Sequence, residues 1–187
     1  MNLQQNLPMS MPGEPEAVML LMGVLHTAQH SVAAITQQLV AEFGLVRAAT
    51  DAVPFKLTTY YQPEMGAGLT RWYCVFRTLV PPGELASIKL RTNAIEHASA
   101  VDGRRTLNLD PGLLTAHSLI LASCKNFSHR IYVRDGIYAE VTLIVKGAQF
   151  DVLPWTYPDY RQAQVRAFFD EQRAAYLQER RAARRGI

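Results

Sequence analysis

Ala17-Val18-Met19-Leu20-Leu21-Met22-Gly23-Val24-Leu25 is the stretch on which the reading of the fold turns. It is apolar without polar alternation, the pattern of a strand covered on both faces. At nine residues it is too short to cross a bilayer, which takes about 20. Outward from it, Val32, Ile35, Leu39 and Phe43 recur at steps of three and four, one face of a helix that Gly44 stops. A variable stretch with Pro54 and Pro63 follows, in which Phe55–Tyr61 reads as a short strand. Thr70–Val80 alternates: Trp72, Cys74 and Phe76 fall on one face, Arg71, Tyr73, Val75 and Arg77 on the other. Pro81-Pro82-Gly83 turns the chain into a second helix, from about Glu84 to Ala98, striped by Leu85, Ile88 and Ile95.

Residues 101–116, with Gly103, Pro111 and Gly112, read as a long loop before an apolar strand at Ser118–Cys124. His129–Val133 and Ile137–Val145 flank Asp135-Gly136, a strong hairpin signal. Thr156-Tyr157-Pro158-Asp159 fits a capping box opening the last helix, which docks by Val165, Phe168, Phe169, Tyr176 and Leu177 and frays beyond. The order implies an α+β (mixed α/β) class: a ferredoxin-like βαββαβ core extended by a β-hairpin and a C-terminal helix. An open three-layer sheet is the competing architecture. Residues 1–15 read as a disordered lead-in, 16–178 as a single domain, and 179–187 as a basic, frayed helix end.

The chain has 187 residues, 49% of them apolar and 19% charged, which suits one globular domain with a substantial core. The formal charge of +3 is concentrated in Glu179–Arg185, which holds four arginines in seven residues. A basic helix end is favoured by the helix dipole, so the charge is weak support for nucleic acid. Cys74 and Cys124 sit in apolar runs, without disulfide-framework or metal spacing. The segment before Ala17 has three prolines and no basic start, unlike a signal peptide. A cytoplasmic location, with no membrane association, follows by elimination.

Several chemistries lack their signatures. There is no G-x-x-x-x-G-K-[ST], no G-x-G-x-x-G, no H-E-x-x-H and no G-x-S-x-G. Polar residues cluster instead in four segments. Tyr60-Tyr61 and Glu64 stand in a Gly/Pro loop close to Arg71. Lys89, Asn93 and Glu96 share one helix face by their spacing and lead into Arg104, Arg105, Asn108 and Asp110. If that segment is extended, Asn108 and Asp110 point the same way; arginine forks bind carboxylate or phosphate. Lys125, His129 and Arg130 follow an apolar strand, and strand ends are ligand addresses in open sheets. Glu140 interrupts an apolar strand and needs a partner. A two-residue turn sets Ile131 opposite it with His129 one pair on, whereas a three-residue turn sets Arg130 opposite. A structural ion pair and a site residue are both open for Glu140, and a satisfied structural role is open for His129.

At these segments the sequence resembles the family named domain of unknown function 4416, over roughly residues 17–175. The resemblance rests on Tyr60-Tyr61 through Glu64-Met65-Gly66, on Ile88 to Asn93 with Glu96, and on Arg104-Arg105 through Asn108-Leu109-Asp110-Pro111-Gly112. It continues in Leu121-Ala122-Ser123 with Lys125-Asn126, His129 to Tyr132, Gly136 to Leu143, and Trp155 to Tyr160. Leu113 stands where the pattern usually has an aromatic and Cys124 where it usually has threonine. The resemblance implies no reaction. Some members carry a "GTP-binding" label, but this chain has neither a P-loop nor N-K-x-D.

The leading expectation is a pocket for a small anionic or phosphorylated ligand, with Lys89, Arg104, Arg105, Lys125 and Arg130 as its cations. Glu64, Glu96, Asp110 and Glu140 orient those cations or hold a divalent metal, and Tyr61, Arg71, Asn93 and Asn108 complete the lining. His129 and Glu140 are the candidates for catalysis. No cofactor is specified by the sequence. One alternative is an RNA-binding module that stacks bases on sheet aromatics beside the basic terminal helix. Another is an assembly protein whose terminal helix packs on a second copy as a homo-oligomer.

Overall fold

The computed structural model describes residues 11–185. It is a mixed α+β fold built on one antiparallel sheet. β1 (Val18–His26) is buried along its whole length, as its unbroken apolar run requires. α1 (Val32–Phe43) is capped by Ser31, whose hydroxyl accepts from the Ala34 amide at 3.1 Å, and ends at Gly44 with φ 89°. β2 (Val46–Ala49) and the short β3 (Val53–Pro54) follow. Phe55–Tyr61 is not a strand: β3 precedes it, and the chain turns into the single-turn α2 (Gln62–Met65), led by Pro63.

β4 (Thr70–Val80) leads through a 3₁₀ turn at Pro82–Glu84 to α3 (Leu85–Ala98). The expected loop over 101–116 instead contains β5 (Leu107–Leu114), paired along its full length with β1. β6 (Ser118–Ser123), β7 (Ile131–Arg134), β8 (Ile137–Lys146) and β9 (Gln149–Val152) complete the sheet. α4 spans Ala163–Arg184. It begins seven residues after Thr156, whose hydroxyl donates to the Thr142 carbonyl at 2.5 Å and accepts from the Leu153 amide at 2.8 Å instead of capping a helix. α4 remains helical past Leu177, and Glu179 accepts a bidentate pair from Arg47 at 2.7 and 2.9 Å.

The strand order is β2-β4-β1-β5-β6-β8-β7, with β3 on β4 and β9 on β8. Both faces are covered. Leu20, Met22 and Val24 of β1 meet Trp72, Cys74 and Phe76 of β4 beneath Ile35 and Leu39 of α1 and Ile88 of α3. Met19 and Leu21 meet Tyr73 and Val75 beneath Val165, Phe169 and Tyr176 of α4. The two faces of β4 are thus the two that its alternation separates.

The hairpin keeps its two-residue turn, with Asp135 at φ 53° and Gly136 at φ 76°. A bulge between Tyr132 and Arg134 shifts the register by one, so Ile131 faces Ala139 and Arg130 comes opposite Glu140. No helix among the described residues is long and apolar enough to cross a membrane.

Candidate functional site

Side chains at partnered positions of adjacent strands point to the same face. Gly23 is partnered by Tyr73 on one side and Asp110 on the other, and Leu25 by Arg71 and Asn108. Arg71, Tyr73, Asn108 and Asp110 therefore rise from the face that carries α4. Gly23 provides the room. A Cβ there would stand 2.7 Å from Tyr160 Oη and 3.0 Å from an Arg71 nitrogen. The guanidinium of Arg71 crosses β1 through that gap to Asp110 at 3.0 Å, and it reaches Asp159 at 2.9 Å. Tyr73 Oη donates to Asp159 at 2.8 Å, and Asn108 Nδ2 donates to Asp110 at 2.9 Å.

A cleft of about 550 Å³ opens above this network. It exists because β5 and β6 part. They are paired only from Gly112–Leu114 to Leu119–Leu121, and beyond Gly112 the two strands diverge. The backbone groups of Leu109, left without a strand partner there, are satisfied by α3: its N–H donates to Glu96 at 2.7 Å, and Lys89 donates to its carbonyl at 2.8 Å. By the period of two, Pro111 offers no N–H on that same side. This is why a proline sits in an interior strand here, and why α3 contributes polar residues to a cleft framed by the sheet.

Arg105 ties the α3 side to the α2 loop, donating to Glu96 at 3.2 Å, Asn108 at 2.7 Å and Glu64 at 2.7 Å. Across the cleft, Arg130 donates to Glu140 at 2.6 Å and to Tyr157 Oη at 2.6 Å. Lys125 at the exposed rim donates to Tyr60 Oη. Asn93 donates to Cys124 Sγ at 3.2 Å. Tyr60, Tyr61, Phe127 and Tyr157 supply aromatic walls.

Burial opposes ionisation of Asp110, but Arg71 and Lys89, with the hydrogen bonds from Arg71 and Asn108, outweigh it and hold the carboxyl below its usual range. Burial pushes Tyr157 up to about 12 and raises Tyr61 as well, so both stay neutral phenols at ordinary pH. Burial works against the charged forms of Arg105 and Arg130. Their carboxylate partners, Glu64 and Glu96 for the first and Glu140 for the second, more than offset it.

Of the residues singled out from the sequence, Tyr61, Arg71, Lys89, Asn93, Glu96, Arg105, Asn108, Asp110, Lys125 and Arg130 line this one cleft. Glu64 does not line it but holds Arg105 from outside. Arg104 stands apart, exposed at a turn closed by its backbone bridge to Val101. Glu140 is buried behind Arg130, and His129 contacts Glu140 at 3.2 Å while stacking on Trp155 at 5.0 Å; neither lines the cleft. Among the described residues no three His, Cys, Asp or Glu side chains gather as a metal site. Glu64, Glu96, Asp110 and Glu140 are each ion-paired with an arginine. Sequence reasoning missed Tyr157, Asp159 and Tyr160. Assigning them to a helix start concealed them, although two tyrosines and an aspartate around a proline are a richer set than a cap needs.

Fold and cleft together define a mixed α+β domain with one antiparallel sheet and a charged, aromatic-walled cleft where two of its strands separate. The chain matches the family described as "Domain of unknown function (DUF4416)" over residues 16–176, and it belongs to that family. No curated protein matches it, and no solved structure does.

Proposed function

We propose that the cleft between β5 and β6 binds a small ligand through an anionic group, carboxylate or phosphate, held by Lys125 at the rim. The observation that carries this reading is convergence. Charged side chains from β4, α3, β5, the segment after β6 and the segment before α4 meet around one concavity of about 550 Å³, a size typical of small-molecule sites. Among its cations, Lys125 pairs with no described carboxylate, whereas Arg71, Lys89, Arg105 and Arg130 each do. It is therefore the cation available to an incoming anion. Arg130, fixed by Glu140, and neutral Tyr157 stand ready as donors beside it. In this arrangement His129 and Glu140 position Arg130, and the reading requires no catalysis by them.

The antiparallel order β2-β4-β1-β5, with α1 and α3 on one face, supports a ferredoxin-like βαββαβ core within a single domain over residues 16–178, extended by the hairpin and the C-terminal helix. RNA stacking on the sheet draws no support, because Trp72 and Tyr73 are buried beneath helices. The apolar stripe of α4 is likewise occupied by its own sheet, which removes the reason for assigning that helix to a second copy.

The test is native mass spectrometry of freshly purified protein together with calorimetric titration of phenyl phosphate. A co-purifying anionic ligand, or phenyl phosphate binding that Lys125→Ala weakens roughly tenfold, supports the reading. Absence of both an added mass and any phenyl phosphate binding overturns it.

A further inference from the structure

Resting on the pocket reading above, we infer that the ligand carries opposite charges at its two ends: the anion at Lys125, and an ammonium or similar cationic donor that reaches Asp110 at the cleft floor. The floor is short of one positive charge. Asp110 and Asp159 share the single guanidinium of Arg71, at 3.0 and 2.9 Å. The neighbouring cations make their direct contacts elsewhere: Lys89, whose charge favours ionised Asp110 without pairing to it, with Glu96 and the Leu109 carbonyl, Arg105 with Glu96 and Glu64, and Arg130 with Glu140. Hydrogen bonds from Asn108 and Tyr73 ease the burial of two carboxylates but add no charge. An excess charge in a low-dielectric site is costly unless it is paired, and a cationic group on the ligand would pair it.

The geometry indicates which carboxylate receives that group. Both hydrogen bonds that Asp110 accepts from described residues land on Oδ2, leaving Oδ1 for a further donor. Its side chain is 24% exposed, against 11% for Asp159 and 6% for Arg71, so Asp110 is the most open of the three floor charges that line the cleft. A second polar group is also uncommitted. The Tyr160 hydroxyl is buried without a partner among the described residues, and a phenol oxygen can accept from an ammonium. Asp110 remains ionised at neutral pH, being held below the ordinary range. Between floor and rim, Tyr61 and Tyr157 offer aromatic surface to an apolar middle. A ligand with anions at both ends would press one of them against the Asp110–Asp159 pair.

Three probes of one shape separate the possibilities in calorimetric titration: 4-(aminomethyl)benzoate with both charges, 4-methylbenzylamine with the cation alone, and 4-methylbenzoate with the anion alone. The doubly charged probe is expected to bind at least about tenfold more tightly than either other, since each charge-assisted contact is worth that factor. Lys125→Ala should reduce it to the level of the amine and leave the amine unchanged. Binding of 4-methylbenzoate as tight as that of the doubly charged probe overturns this inference and leaves the anion pocket standing. Amine binding as tight as that of the doubly charged probe keeps the floor assignment and overturns the anion site at Lys125. No binding by any of the three at millimolar concentration overturns this inference, while the anion pocket stands or falls by phenyl phosphate and native mass spectrometry.

Discussion

Position 23 shows how little space the charged floor has. β1 needs an apolar residue almost everywhere, yet at Gly23 a methyl group would meet the Tyr160 hydroxyl at 2.7 Å and Arg71 at 3.0 Å. Those neighbours have little freedom to retreat: Tyr160 is 1% exposed and stacks on Phe169 with ring centroids 6.0 Å apart, and Arg71 is held by two carboxylates. Gly23→Ala should destabilise the fold by about 1–3 kcal/mol, the usual cost of overpacking. It should also displace Arg71 from Asp110. Urea denaturation checks the first effect and the titration of Asp110 by NMR the second, because a carboxyl losing its guanidinium partner moves back up. The sequence showed Gly23 only as a gap in an apolar run. Its purpose became visible once Tyr160, 137 positions away, was placed across it.

At the scale of elements, β5 is the instructive case. Its alternation was legible in Asn108 and Asp110, which do point the same way. The strand itself was not, because Pro111 and Gly112 are poor residues for an interior strand. Local propensity yields here to a tertiary arrangement: Lys89 and Glu96 take the place of a strand along that edge, so a missing N–H at Pro111 goes unneeded. Glu96→Ala should therefore leave the Leu109 amide buried without an acceptor, a loss of roughly 1–3 kcal/mol. Hydrogen exchange provides the check. The Leu109 amide should exchange markedly faster in the variant, while the β1–β4 ladder keeps its protection. Uniform loss of protection would mean that Glu96 supports the whole domain rather than this edge. The hairpin gave the opposite experience. Asp135-Gly136 fixed the turn, but the bulge that brings Arg130 opposite Glu140 left no signal in composition. The helix expected from Thr156 failed because the threonine hydroxyl is bonded to β8, leaving Tyr157 to Tyr160 outside any regular helix.

At the scale of the molecule, the two thiols report on opposite environments and give a probe of the cleft that needs no knowledge of the ligand. Cys124 is exposed and lines the cleft, whereas Cys74 of β4 is buried in the core beneath α1 and α3, where burial pushes its thiol up to about 12. A thiol reagent should label one cysteine in the folded protein and two after denaturation, since the thiolate is the reactive form and must be accessible. Occupation of the cleft should slow labelling of Cys124 without changing the reaction of Cys74. A compound that binds by calorimetry yet leaves the Cys124 rate untouched would be bound elsewhere.

The parting of β5 from β6 has a mechanical side. The group β2-β4-β1-β5 and the group β6-β8-β7, with β9, share only three residue pairs, Gly112 with Leu121, Leu113 with Ile120 and Leu114 with Leu119. A rotation pivoting on such a seam would widen or narrow the gap between Asp110 and the chain beyond Ser123 without breaking any ladder inside either half. α4 bridges the pivot by packing on Val75 in one half and Leu143 and Phe150 in the other, so its grip sets how stiff the joint is. The aperture of the cleft would thus depend on a helix packed on the same face of the sheet, whose own residues after Ala163 do not line it.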